Sequence, residues 1–172
     1  MRRGFRQLTT SGWLLMALLL IATADTRAQN PLSASTTASF TVNLQVKLTV
    51  SATTLTFPNS DPDTVPQIPA SEGAVTITAN ARNAGTNQII LSVQASDDLR
   101  SVLNVIPISA LTWTASGTGF VGGTMSASTA RTAASWSTSG SYTGTMSFLL
   151  ANSWNYPVGT YGTTLTYTLS TP

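Results

Sequence analysis

From Ala38 to Val50 the chain alternates without a break. Ala38, Phe40, Val42, Leu44, Val46, Leu48 and Val50 are apolar; Ser39, Thr41, Asn43, Gln45, Lys47 and Thr49 are polar. Successive side chains of a strand point to opposite faces, whereas a helix would scatter these apolar residues around its circumference. The pattern therefore predicts a strand over all thirteen residues. Such a strand spans roughly 43 Å. A length of that order requires the strand to bend and serve two sheets, or to offer part of itself to a neighbouring subunit.

Shorter runs with the same period follow. Leu55 and Phe57 end at Pro58; Val75, Ile77 and Ala79 alternate with Thr76, Thr78 and Asn80; Ile89, Leu91, Val93 and Ala95 share a face. Leu111, Trp113 and Ala115 form another run, Met146, Phe148 and Leu150 the next, and Tyr161, Thr163, Leu165, Tyr167 and Leu169 the last. Turn-forming residues separate them, among them Asp61-Pro62-Asp63, Glu72-Gly73, Asn83 to Asn87, Gly122-Gly123, Ser139-Gly140 and Tyr156-Pro157-Val158-Gly159. The segment from Ser116 to Ser141 is rich in Gly, Ser, Thr and Ala and is read as one or two weak strands. Many short strands with this punctuation predict an all-β, antiparallel, immunoglobulin-like sandwich of about 7–9 strands.

The amino terminus reads differently. Arg2, Arg3 and Arg6 precede an apolar run from Trp13 to Ala22, and Thr26-Arg27-Ala28 offers small residues for a cut before Gln29. That is the layout of a secretory signal peptide. The expected organisation is a cleaved leader over 1–28, a short linker over 29–37 and the sandwich over 38–172. Ten apolar residues cover about half a bilayer core, so no transmembrane anchor is expected in the mature chain. The expected location is outside the cytoplasm, whether extracellular, at the cell surface or in the periplasm.

Removing the leader changes the charge. The whole chain carries eight Lys+Arg and six Asp+Glu, a formal net charge of +2. From Gln29 onward only Lys47, Arg82, Arg100 and Arg131 stand against Asp61, Asp63, Glu72, Asp97 and Asp98, which gives −1. Nothing in that balance provides a footprint for nucleic acid. Solubility rests instead on hydroxyls, since Ser and Thr make up 46 of the residues after Ala28.

The sequence contains no His and no Cys. That excludes Cys/His zinc sites, disulfides and Ser-His-Asp or Cys-His nucleophiles. Asp61, Asp63, Asp97 and Asp98 have the oxygen chemistry of calcium ligands, but their spacing matches no calcium loop and fits turns better. Five scattered acids do not make the paired carboxylates of a glycosidase. A Ser–Lys nucleophile would need Lys47, which lies on the polar row of the alternating strand. No cofactor, metal or catalytic residue is expected, and the chain is read as not an enzyme. Trp136, Trp154 and Tyr156 are the candidate surface-binding residues, because rings on loops stack on sugars or fill a partner's pocket. The competing reading is that they seal the ends of the sandwich.

Three segments carry a resemblance: Asn83 to Leu99 (NAGTNQIILSVQASDDL), Ile106 to Thr114 (IPISALTWT) and Trp154 to Pro172 (WNYPVGTYGTTLTYTLSTP). Their order and spacing resemble the WxL-type surface domains of bacteria. Ile89-Ile90-Leu91 and Tyr167-Thr168-Leu169 take the two motif positions, each keeping the Leu and lacking the Trp. The ending from Gly159 is also similar to secreted pilin-like and spore-coat-U-like sandwiches. These resemblances imply a sandwich at a bacterial surface; the expected partner is cell-envelope polysaccharide or another surface protein. The expected function is a non-catalytic exported binding or structural module. Two alternatives stay open: a pilus or coat subunit that self-associates by strand exchange through an edge strand, and a carbohydrate-binding domain built around Trp154 and Tyr156.

Overall fold

The computed structural model of the protein describes residues 36–83, 85 and 87–171. The expected leader over 1–28, and the linker as far as residue 35, lie outside the described residues. The compact unit begins at Phe40. Its regular elements are ten strands and one 3-10 turn: β1 (Gln45–Val50), β2 (Gln67–Arg82), β3 (Ile89–Ala95), β4 (Leu99–Arg100), β5 (Val105–Ile106), the turn Ile108–Ala110, β6 (Leu111–Ser116), β7 (Gly123–Thr124), β8 (Arg131–Trp136), β9 (Gly140–Ala151) and β10 (Leu165–Ser170).

Among the described residues every ladder is antiparallel. One sheet has the order β1-β2-β9-β6-β7 and a second the order β10-β3-β8, while β4 and β5 form a two-stranded ribbon. Their inward rows share a single core. Ile77 and Ala79 of β2 and Met146 and Phe148 of β9 come from the larger sheet; Leu91 and Val93 of β3 come from the smaller one. The alternation read from the sequence places these rows, and β3 shows it without exception: Ile89, Leu91, Val93 and Ala95 are buried and the residues between them are not.

Two differences from the expected strands have physical causes. The thirteen-residue alternation forms a ladder over six residues only. β1 pairs with β2 from Gln45↔Arg82 to Val50↔Ile77, and β2 ends at Arg82. Upstream of Gln45 there is no β2 backbone left to pair with, so Phe40 to Leu44 continue past the edge of the sheet. The second difference is in β2, which starts at Gln67 and carries Pro69 and Gly73 inside it. Its register against β9 shifts between Pro69 and Ala74. Gly73, at φ 70°, supplies the left-handed turn this bulge needs. The bulge reaches back to the segment after β1: Ser71 N–H donates to the Thr56 carbonyl at 2.8 Å, and Thr56 N–H donates to Glu72 Oε2 at 2.9 Å.

The two long seams of the sandwich are built differently. On the β7–β8 side, Phe120 bridges to Ala134. Val121 N–H donates to the Ala133 carbonyl at 2.9 Å, and Ser135 N–H to that of Gly119 at 3.0 Å. The backbone itself closes this side. The opposite side, between β1 and β10, has no such ladder among the described residues.

Candidate functional site

The structure separates the three aromatic candidates. Trp136 is 7% exposed. Its ring stacks on Tyr142 with centroids 4.4 Å apart and meets Phe120 edge-on at 5.3 Å. Its indole N–H donates to the Thr118 carbonyl at 2.7 Å. Trp136 is therefore a core residue that seals the β7–β8 side and has no free face for a ligand, which corrects its place among the surface candidates. Tyr156 is half-buried against the core. Trp154 stands out at 70% exposed, with its indole N–H held by Asp63 Oδ1 at 3.1 Å. That bond and the two that Asn152 Nδ2 donates to Ser60 and Val65 carbonyls, at 3.0 and 3.1 Å, tie the β9–β10 loop to the β1–β2 loop. The structure does not bring Trp154, Tyr156 and Trp136 together into one site.

The acids serve turns. Asp61 Oδ1 accepts from Asp63 N–H at 2.9 Å, and Asp98 Oδ1 accepts from Ile108 N–H at 2.8 Å, which anchors the 3-10 turn. Asp97 pairs with Arg100, whose Nη2 lies 3.1 Å from Oδ1. That guanidinium holds the Asp97 carboxyl below its ordinary range. Glu72 is lowered as well, chiefly by the bond from the Thr56 amide. Among the described residues no group of three or more acids is placed to hold a metal ion.

An opening lies along the unsealed seam, where no sequence pattern announces one. A cleft of about 480 Å³ runs between the Val50 end of β1 and the Leu165 end of β10, lined by Val50, Leu55, Phe57, Tyr161, Leu165 and Tyr167 among others. No lining residue carries a charge. Its walls are core positions left partly wet. Leu165, Tyr167 and Leu169 pair with Ala95, Val93 and Leu91, all buried, yet are themselves only half-buried. Leu48 and Val50 stand in the same relation to buried Ala79 and Ile77. Partial burial still acts on Tyr167, whose phenol is pushed up to about 12 by desolvation.

The second feature is the chain upstream of β1. Phe40, Val42 and Leu44 are 86%, 57% and 66% exposed. They keep period-2 alternation, with Thr41 and Asn43 between them, and are described as neither strand nor helix. Soluble proteins seldom leave large apolar side chains in such a row without a partner surface.

No protein-family model matches the chain, and no curated protein is similar to it in sequence.

The cleft was not legible as a site because its residues read as ordinary inward rows. The one available signal was Leu55-Thr56-Phe57, a strand-like run that joins no strand and instead roofs the cleft. The exposed segment was legible only as excess length. Among the described residues no helix is long and apolar enough to cross a membrane.

Proposed function

We propose that this chain is a non-catalytic, exported structural module of the bacterial cell envelope, with immunoglobulin-like connectivity. It works by binding another polypeptide through strand addition. The observation that carries this reading is the row Phe40, Val42 and Leu44, exposed and without a strand partner among the described residues. In β-augmentation a segment of this kind contributes main-chain hydrogen bonds for affinity and alternate side chains for specificity. The signal-peptide layout of the first 28 residues supports export, and the absence of His and Cys from the sequence supports a role without catalysis.

Expression of the full chain in a bacterial host tests the reading. The product should be recovered outside the cytoplasm with Gln29 as its first residue and should co-fractionate with envelope proteins. The double variant F40D/V42D should be exported and folded but lose that association. An uncut cytosolic product, or association indifferent to the substitutions, overturns it. Trp154 supports a second reading, carbohydrate binding, because its ring is exposed and its indole N–H is fixed by Asp63. Retention on purified envelope polysaccharide that falls with Trp154→Ala is the result that reading requires.

A further inference from the structure

We propose that a polar opening at the Arg82 end of the larger sheet binds a hydroxylated oxyanion, a sugar acid or a sugar phosphate. The site goes beyond the strand-addition reading and does not depend on it. Phe40, Val42 and Leu44 share the parity of Leu48 and Val50, the inward row of β1, whereas this opening lies on the outward face.

The face follows from register. β1 pairs Gln45 with Arg82 and Lys47 with Asn80. β2 in turn pairs Asn80 with Ser141 and Ala81 with Gly140 of β9. Directly opposed residues share a face. Ala79 and Ala81 are buried, so Asn80 and Arg82 turn outward and carry Gln45, Lys47 and Ser141 with them. These five side chains, with Ala81, Ser139 and Gly140, line an opening of about 500 Å³. That suits a small organic molecule and exceeds what one bare ion needs. The rim is fixed by Ser139, whose hydroxyl accepts from Asn83 N–H and donates to Asn83 Oδ1, each at 2.9 Å.

The charge of the opening is of one sign. The only ion pair among the described residues joins Arg100 to Asp97, so Lys47 and Arg82 have no acid partner there. Along β2 the nearest acid is Glu72, roughly 26 Å of strand from Asn80. Asp61, Asp63, Asp97 and Asp98 lie in loops beyond the Val50 end of β1 and the Ala95 end of β3, which meet at the far cleft. Screening at physiological salt reaches about 8 Å, so Glu72 leaves the positive potential standing. Lys47 sits diagonally across from Arg82, about 7–8 Å away between Cα atoms. Two side chains of that length converge on one carboxylate or phosphate, with Arg82 supplying the bidentate fork. Gln45, Asn80 and Ser141 add amide and hydroxyl groups that a bare ion leaves unused and sugar hydroxyls would pair with. Two cations are too few for a nucleic-acid backbone. No lining residue is large and apolar, so nothing here enters a membrane.

Isothermal titration of the mature chain tests this with trigalacturonate, glucose 6-phosphate, inorganic phosphate and maltotriose. At least one of the first two should bind, and the tighter of them identifies the oxyanion. Inorganic phosphate lacks the hydroxyls and maltotriose the charge, so each should bind on the order of tenfold more weakly. Lys47→Gln and Arg82→Gln should each weaken binding about tenfold, and Arg82→Lys less, because it keeps the charge and loses the fork. Both positions are exposed, so circular dichroism of each variant should match the wild type. The proposal is overturned if neither sugar anion binds at millimolar concentration, if inorganic phosphate binds as tightly as both (an adventitious ion only), or if K47Q/R82Q binds like the wild type. Binding lost in Trp154→Ala also overturns it, and moves the ligand to the other end of the molecule. None of these results bears on envelope association of F40D/V42D, by which the strand-addition reading is judged.

Discussion

Gly144 sits in β9 where the Phe120 ring and the Ser116 carbonyl close over it. A Cβ built there would lie 2.7 Å from that carbonyl oxygen and closer still to the ring. Phe120 is held by Trp136, and Trp136 by Tyr142, so none of them can withdraw cheaply. Gly144→Ala should therefore destabilise the fold by about 1–3 kcal/mol through overpacking. Urea denaturation followed by the emission of the buried tryptophans will measure it. Tyr167 provides a second residue-level expectation. Its phenol titrates at about 12 in the folded chain against an ordinary value of 10.0. The unfolded chain thus loses its proton first. Stability is intact below pH 10 and falls between pH 10 and about 12, by roughly 2–3 kcal/mol in all. Tyr167→Phe should remove that part of the alkaline loss in denaturation curves run at pH 9 and pH 11. Trp136 shows what the sequence could not say about single residues: Arg131 to Trp136 has no clean alternation, so nothing in it marked the ring as inward.

At the level of elements, the inward rows of β3, β6 and β9 followed directly from alternation, because a pleated backbone gives no other arrangement once one face is buried. Strand ends did not follow, since a ladder stops where its neighbour stops. β1 is six residues long because β2 gives out at Arg82, and no feature of Phe40 to Leu44 encodes that event. Glu72-Gly73 reads as a break, yet β2 passes through it by means of the bulge at Gly73. The same bulge fixes the roof of the cleft through Glu72, and its contribution depends on pH. The folded Glu72 carboxyl is lowered from 4.5, so its bond to Thr56 is intact above that value and is lost as the pH falls through the lower, folded one. Glu72→Ala should mimic acid: the Thr56 amide should exchange with deuterium roughly tenfold faster at neutral pH, and the core strands should be unaffected.

For the molecule as a whole, the two seams differ in kind. One is knitted by backbone bonds from Gly119 to Val121, and the other is left ajar and uncharged. This predicts how association should respond to salt. With neither the row Phe40–Leu44 nor the cleft carrying a charge, the proposed strand addition should persist in about 1 M sodium chloride, where screening reaches to within ~3 Å. A charge-driven contact would dissolve in the same titration, which light scattering would record. The two-faced design was legible in part. Excess length in the alternation left two outcomes open, a strand that bends to serve both sheets or one that offers part of itself to a neighbour. The cleft depends on how two sheets meet, and no local stretch of sequence contains that.

The half-wet rows of β1 and β10 carry a thermal consequence. With a partner strand over those rows the fold would be more robust than alone, since whatever binds the native form alone raises its melting point by mass action. The melting temperature of this protein should therefore climb with the concentration of the polypeptide it binds and level off once every cleft is occupied.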